Sequence, residues 1–233
     1  MKLAVMQPYL FPYIGYLQMI NAVNKFVILD DVAFIKRGWI NRNHILLNNK
    51  SHLFTVPLVK VSQNKIIKET KISYDRNWQS SLLKTLEHAY KKAPFFSPVM
   101  EMVSSVINQK DVYISEMALN SIKKTCGYLG IETTIINSSE LYQNDTLKSE
   151  NRIIDICLRE NVSMYINAMN GRELYRAENF KRHNIELRFI NALPQSYKQF
   201  GNSFEPSLSV IDILMFKDKI EVKELLEHYT LET

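Results

Sequence analysis

Apolar residues in this chain come in short runs separated by polar punctuation, and the spacing within each run decides what it can form. Leu3, Ala4, Val5 and Met6 make a run too brief for a helix, so Lys2 to Met6 reads as a strand. Pro8 and Pro12 cannot join a hydrogen-bonded ladder, which ends that strand near Gln7. Gly15 to Ala22 reads as a helix with Tyr13, Leu17 and Ile20 along one face. Phe26 to Leu29 is a second strand that stops at Asp30-Asp31. The stretch 41–59 has two strand-like runs around Asn48-Asn49, a hairpin whose asparagines supply the positive φ of a tight turn. Such a hairpin would lie as a flap over the ligand edge of the sheet. Alternation over Ile66 to Ser73 suggests an added edge strand.

Trp78, Leu82, Leu86 and Tyr90 recur every four residues, so Asn77 to Lys92 reads as a helix ended by Pro94. Helices follow over Ser97 to Gln109 and Tyr113 to Leu129, the latter stopped by Gly130. An α/β rhythm then returns, with strands at 132–137, 163–167 and 185–190 and helices at 149–161, 175–183, 209–215 and 220–229. About five strands joined by right-handed crossovers give an α/β fold with a parallel, Rossmann-like sheet. The expected organisation is one domain over 1–233: an α/β core of 1–40 and 131–215, a β-hairpin insertion at 41–75 and a helical insertion at 76–130.

Composition fits a soluble globular chain of 233 residues, with 46% hydrophobic and 23% charged residues. No run approaches the roughly 18 apolar residues of a membrane span. Gln7, Pro8 and Pro12 also break the N-terminal run before it resembles a secretory signal, so a cytoplasmic protein is expected. Cys126 and Cys157 fall within predicted helices, without metal-ligand spacing, and read as buried thiols. A net charge of +5 without a basic helix or finger argues against a nucleic-acid partner and suits a small anionic ligand instead.

Ligands bind beyond the carboxyl ends of strands in such sheets, which directs attention to two stretches. The first is Gln7-Pro8-Tyr9-Leu10-Phe11-Pro12-Tyr13-Ile14-Gly15-Tyr16, where aromatic faces can stack on a base or sugar and a helix start favours phosphate. The same aromatics can equally form a small core pinning the helix to the sheet. The second is Asp30-Asp31 followed by Lys36-Arg37-Gly38-Trp39-Ile40-Asn41-Arg42-Asn43. A pocket-facing carboxylate, Asp30 or Asp31, can take a proton from an attacking amine, and His44 is a further candidate base. The other aspartate of the pair then caps a turn. Arg37 and Arg42 offer forked donors for phosphate, and Gly38 lets backbone approach a ligand. With Lys36, Trp39, Asn41 and Asn43 they read as a ligand clamp.

These two stretches, with Lys92-Ala93-Pro94-Phe95-Phe96, Gln199-Phe200 and Ser207-Leu208-Ser209-Val210-Ile211-Asp212, resemble the WbqC-like proteins found among bacterial O-antigen and surface-polysaccharide genes. Where that family has a Gly-Pro-x-Gly turn after the fourth strand, this chain has Asn167-Ala168-Met169-Asn170-Gly171, matching only at Gly171, a candidate phosphate contact. The resemblance implies attachment of an amino acid, glycine in particular, or another acyl group to an amino sugar. A weaker likeness is to adenylyl-transferring (HUP, nucleotidyltransferase-like) folds, whose His-x-Gly-His histidines are replaced here by Tyr13 and Tyr16. The expected activity is amide-forming acyl or aminoacyl transfer to a nucleotide-linked amino sugar. No ATP-binding loop is evident, so the donor is expected to be a carrier-protein or coenzyme A thioester, with no bound cofactor and no metal. Alternatives are a nucleotidyltransferase or adenylate-forming ligase of the same fold, and a non-catalytic sugar-nucleotide-binding subunit.

Overall fold

The computed structural model describes residues 1–60, 65–75, 77–193 and 195–233. Residues 61–64 and 76, which belong to the two expected insertions, lie outside the described residues. The elements are β1 (Lys2–Met6), α1 (Ile14–Asn21), β2 (Lys25–Ile28), β3 (Arg42–Leu47), β4 (Lys50–Thr55), α2 (Trp78–Tyr90), α3 (Phe96–Ile107), α4 (Ile114–Leu129), β5 (Thr134–Ile136), α5 (Ser149–Arg159), β6 (Met164–Ala168), α6 (Ala177–Lys181), β7 (Glu186–Ala192), α7 (Val210–Phe216), α8 (Lys219–Leu226) and β8 (Tyr229–Glu232).

Six strands form the main sheet in the order β5-β2-β1-β6-β7-β8. Every neighbour pair is parallel except β7–β8. Because strand side chains alternate between faces, each strand feeds two cores. Ala4, Phe26, Ile28, Ile166 and Ile190 face one layer, which also holds α1, the hairpin, α2 to α4, α7 and α8. Leu3, Val5, Val27, Tyr165, Leu187 and Phe189 face the other, packed on residues of α5 and α6. The helical insertion therefore shares one continuous core with the sheet. The antiparallel β8 corrects the sequence reading, which ran a helix through Tyr229: α8 stops at Leu226, and Tyr229 to Glu232 pairs with β7. The expected edge strand at 66–73 is instead a 3-10 turn at Ile67–Glu69 flanked by isolated bridges.

The hairpin of β3 and β4 is a separate two-stranded sheet, turned by Asn48 and Asn49 at φ 52° and 60°. It does not flap freely over the sheet edge; Asn43 fastens it to the loop after β1. Phe11 in that loop is 1% exposed and holds φ 42°, a left-handed conformation unusual for an aromatic residue. Four side-chain hydrogen bonds secure the turn. Ser121 of α4 accepts from the Phe11 N–H (2.9 Å), Asn43 Nδ2 donates to the carbonyls of Leu10 (3.1 Å) and Phe11 (2.7 Å), and the Ser209 hydroxyl donates to the Phe11 carbonyl (2.7 Å).

A second junction forms around Asp212, a fully buried carboxylate that accepts from the hydroxyls of Tyr90 (2.7 Å) and Tyr197 (2.6 Å) and from Gln199 Nε2 (2.7 Å). The Tyr90 oxygen also accepts from the N–H of Leu46. This network fastens the 195–209 loop to α2, α7 and the hairpin. Burial raises the Asp212 pKa, and the three donors lower it by less.

Asn43→Ala strands the buried Leu10 carbonyl and leaves the Phe11 carbonyl with Ser209 alone, so we expect a loss of roughly 1–3 kcal/mol in urea unfolding. The Asp212 shift sets a pH slope. A carboxyl raised above its unfolded value of 3.8 adds most stability below that pH and loses it as pH rises through the folded pKa. Urea midpoints of the wild type and Asp212→Asn, followed upward from pH 4, should show the wild type losing ground relative to the variant.

Candidate functional site

The chain crosses from β1 to β2 on one side, while β6 lies on the other, so the loops after β1 and β6 part at the carboxyl edge. Such a switch point is where open α/β sheets bind ligands. A crevice of about 590 Å³ opens there, within the usual range for small-molecule sites. Its polar side chains are Gln7, Tyr9, Tyr13, Tyr16, Asn167, Asn170, Tyr175 and Asn191, with Trp39 and Ile35 at one wall. Among the described residues, the lining holds no carboxylate, imidazole or cation.

Local packing sets each group. The Tyr16 hydroxyl donates to the Gln7 carbonyl (2.9 Å), and the Tyr9 and Tyr16 rings lie 5.3 Å apart. Gly15 is demanded by Tyr13, whose ring would come within 2.4 Å of an added Cβ. Gly171 is demanded by Asn167, whose Nδ2 would stand 2.3 Å from a Cβ, so this glycine makes room for an amide. Asn167 Oδ1 in turn accepts from the Ala168 N–H (2.9 Å), and Asn191 Nδ2 donates to Glu232 (2.8 Å). Burial raises the pKa of Tyr9, Tyr13 and, most strongly, Tyr16, so all three remain protonated hydrogen-bond donors at neutral pH. The crevice is built to stack rings and donate or accept neutral hydrogen bonds.

Of the residues expected at the site, Gln7, Tyr9, Tyr13, Tyr16, Trp39 and Gly171 border the crevice. Pro8 and Phe11 are buried away from it. Three residues of the expected clamp, Asn41, Arg42 and Asn43, hold backbone instead. Arg42 donates through Nε to the Gly38 carbonyl (2.9 Å) and through Nη2 to the Arg37 carbonyl, with its guanidinium 5.9 Å from the Trp39 ring centre. This closes the loop around Arg37, which has φ 62°. Asn41 donates to the Val56 carbonyl (2.8 Å), and Asn43 secures the Phe11 turn. Lys36 and Arg37 are exposed, next in sequence to Ile35 of the crevice wall but outside the lining.

The proposed bases do not reach the crevice. Asp30 is 6% exposed and accepts from the Ser138 hydroxyl (2.6 Å) and the Ser139 N–H (3.3 Å). Burial raises its pKa, the Ser138 bond opposes that, and the charge of Asp31 adds to it. Asp31 receives Arg152 Nη2 on both oxygens at 2.6 Å and also binds the Ser139 hydroxyl. The reason is topological: β2 ends beside β5, one strand away from the β1/β6 switch, so its aspartates tie that edge to α5. His44 lies on the hairpin with its ring edge-on to Trp39 at 5.5 Å, outside the lining. Among the described residues, no cluster of three or more His, Cys, Asp or Glu is placed to hold a metal. Burial pushes both cysteine thiols up to about 12, so neither is a ready nucleophile.

Sequence reasoning missed Asn167, Asn191 and Tyr175 as crevice residues. A signal existed: Tyr165-Ile166-Asn167 and Phe189-Ile190-Asn191 each place an amide where an apolar strand ends.

Among the described residues, no helix is long and apolar enough to cross a membrane. No solved structure matches the chain. It is 28% identical over 216 residues to the uncharacterized protein Rv1507c of Mycobacterium tuberculosis, covering 91% of this chain and 92% of that protein. Residues 7–224 match the WbqC-like protein family, a span that includes the crevice loops, the hairpin and the Asp212 junction, and the chain belongs to that family.

Proposed function

We propose that the crevice binds a nucleotide-linked amino sugar and that the protein transfers an acyl or aminoacyl group to the sugar's amine in O-antigen or surface-polysaccharide synthesis. The observation that carries this reading is the uncharged, aromatic-and-amide lining at the switch point. Tyr9, Tyr13 and Trp39 offer faces for the base and sugar rings, and the amides suit base edges and hydroxyls. Lys36 and Arg37, exposed in the loop that continues from Ile35 of the wall, suit the diphosphate.

The donor in this reading is a thioester on coenzyme A or a carrier protein, acting in the cytoplasm. The free amine attacks the thioester carbonyl, and the departing thiolate takes up the proton that nitrogen loses. Holding the two reactants in register supplies the rate acceleration without a side-chain base. Adenylate chemistry fits less well, because Tyr13 and Tyr16 stand at the imidazole positions with phenol pKa values raised. The lack of a carboxylate or imidazole in the lining also favours a second reading, a non-catalytic sugar-nucleotide-binding subunit.

Calorimetry with UDP- and dTDP-linked amino sugars should detect binding, and Tyr9→Ala should weaken it by roughly tenfold or more, the loss of one stacked ring. Mass spectrometry of the sugar after incubation with acyl thioesters should show the added acyl group. Binding without transfer across a donor panel selects the subunit reading. Absence of binding by every nucleotide-linked amino sugar overturns both.

A further inference from the structure

A second, smaller cavity of about 250 Å³ adjoins the crevice, and Tyr13, Gly15 and Ala192 border both spaces. Its other walls come from the first turn of α1, the end of β7 and the 195–209 loop. That loop is held in place by the Asp212 junction, through Tyr197 and Gln199, so the cavity is a built feature of the fold.

Three observations select an occupant. The volume falls below the usual range for drug-sized ligands, and Leu193, Phe204, Leu208 and Ile213 make the lining mainly apolar, which suits a short chain. Gln18, 2% exposed, also borders the cavity. Its Nε2 donates to the carbonyls of Leu225 (2.8 Å) and His228 (2.9 Å), which fixes the amide's orientation, and its Oε1 has no hydrogen-bond partner. A buried acceptor left unpaired is costly, and an occupant's O–H or N–H would remove that cost. Finally, α1 begins at this wall without a side-chain cap, and Ile14 and Gly15 of its first turn border the cavity. Free N–H groups at a helix start suit a carbonyl oxygen and the oxyanion formed on attack.

We infer that this cavity is the acyl subsite of the transfer: it takes a short acyl chain carrying a hydroxyl or amine donor for Gln18, with the thioester carbonyl at the start of α1. The inference rests on the transfer reading above. The acyl carbonyl and the sugar amine then meet at the boundary that Tyr13, Gly15 and Ala192 share. At this junction the sugar nitrogen forms the C–N bond, the C–S bond breaks, and the sulfur leaves as thiolate and takes the proton released from nitrogen.

Ligand-observed NMR titrations with the N-acetylcysteamine thioesters of 3-hydroxybutyrate and butyrate test the assignment directly. The hydroxylated probe should bind roughly tenfold more tightly, the worth of one satisfied buried acceptor. Leu193→Trp, which fills the cavity from its exposed lip, should abolish binding while leaving the urea midpoint unchanged. Ile213→Phe, filling from within, provides a second variant. No binding of either probe to the wild type, equal affinity for the two, or undiminished binding by folded Leu193→Trp and Ile213→Phe overturns the assignment. If the thioester behaves as expected but no nucleotide-linked amino sugar binds, the transfer reading fails while the cavity stands as an acyl-binding site.

Discussion

The turn at Phe11 is the constraint on which the rest of the site depends. An aromatic residue in the left-handed region is strained, and its backbone groups are buried beyond the reach of water. The conformation is kept by partners from three distant parts of the chain: Ser121 of the helical insertion, Asn43 of the hairpin and Ser209 ahead of α7. Their convergence fixes where the loop leaves β1 and where α1 begins. It thereby places Gln7 and Tyr9 on one side of the turn and Tyr13, Gly15 and Tyr16 on the other. The hairpin and the helices α2 to α4 support the loop after β1 and are joined to it in one core.

Charge is distributed to match that division of labour. The buried ionic groups, Asp31 with Arg152 and Asp212 with its tyrosines and glutamine, lie in the scaffold, where they join elements far apart in sequence. An uncompensated buried charge is costly, so each is surrounded by donors. The crevice instead has neutral amides and phenols.

Much of the fold was legible in the one-dimensional pattern because its strands and helices obey local periodicities. The apolar runs at 2–6 and 26–29, the four-residue spacing from Trp78 to Tyr90, and Gly130 as a helix stop all correspond to observed elements. The errors came where tertiary pairing overrode local preference. Tyr229 continues an amphipathic pattern, yet the free edge of β7 recruits it into an antiparallel strand. Ile66 to Ser73 alternates like a strand, but it meets only isolated bridges and turns.

For the site, the sequence by itself determined the chemistry available: an aromatic loop after the first strand and a dense polar stretch after the second. It also marked Asp30, Asp31, Arg42 and Asn43 as polar groups in unusual surroundings. Only the tertiary structure decided which of these face a ligand. The strand order puts β6, not β2, beside β1 at the switch point, so Asn167 enters the crevice and the aspartates are turned to Arg152 and the serines. A carboxylate or guanidinium has the same character in sequence whether it meets a ligand or a backbone carbonyl. For Asp30 and Asp31 the partners, Ser138 and Arg152, are 108 and 121 residues away along the chain and within hydrogen-bond distance in the fold.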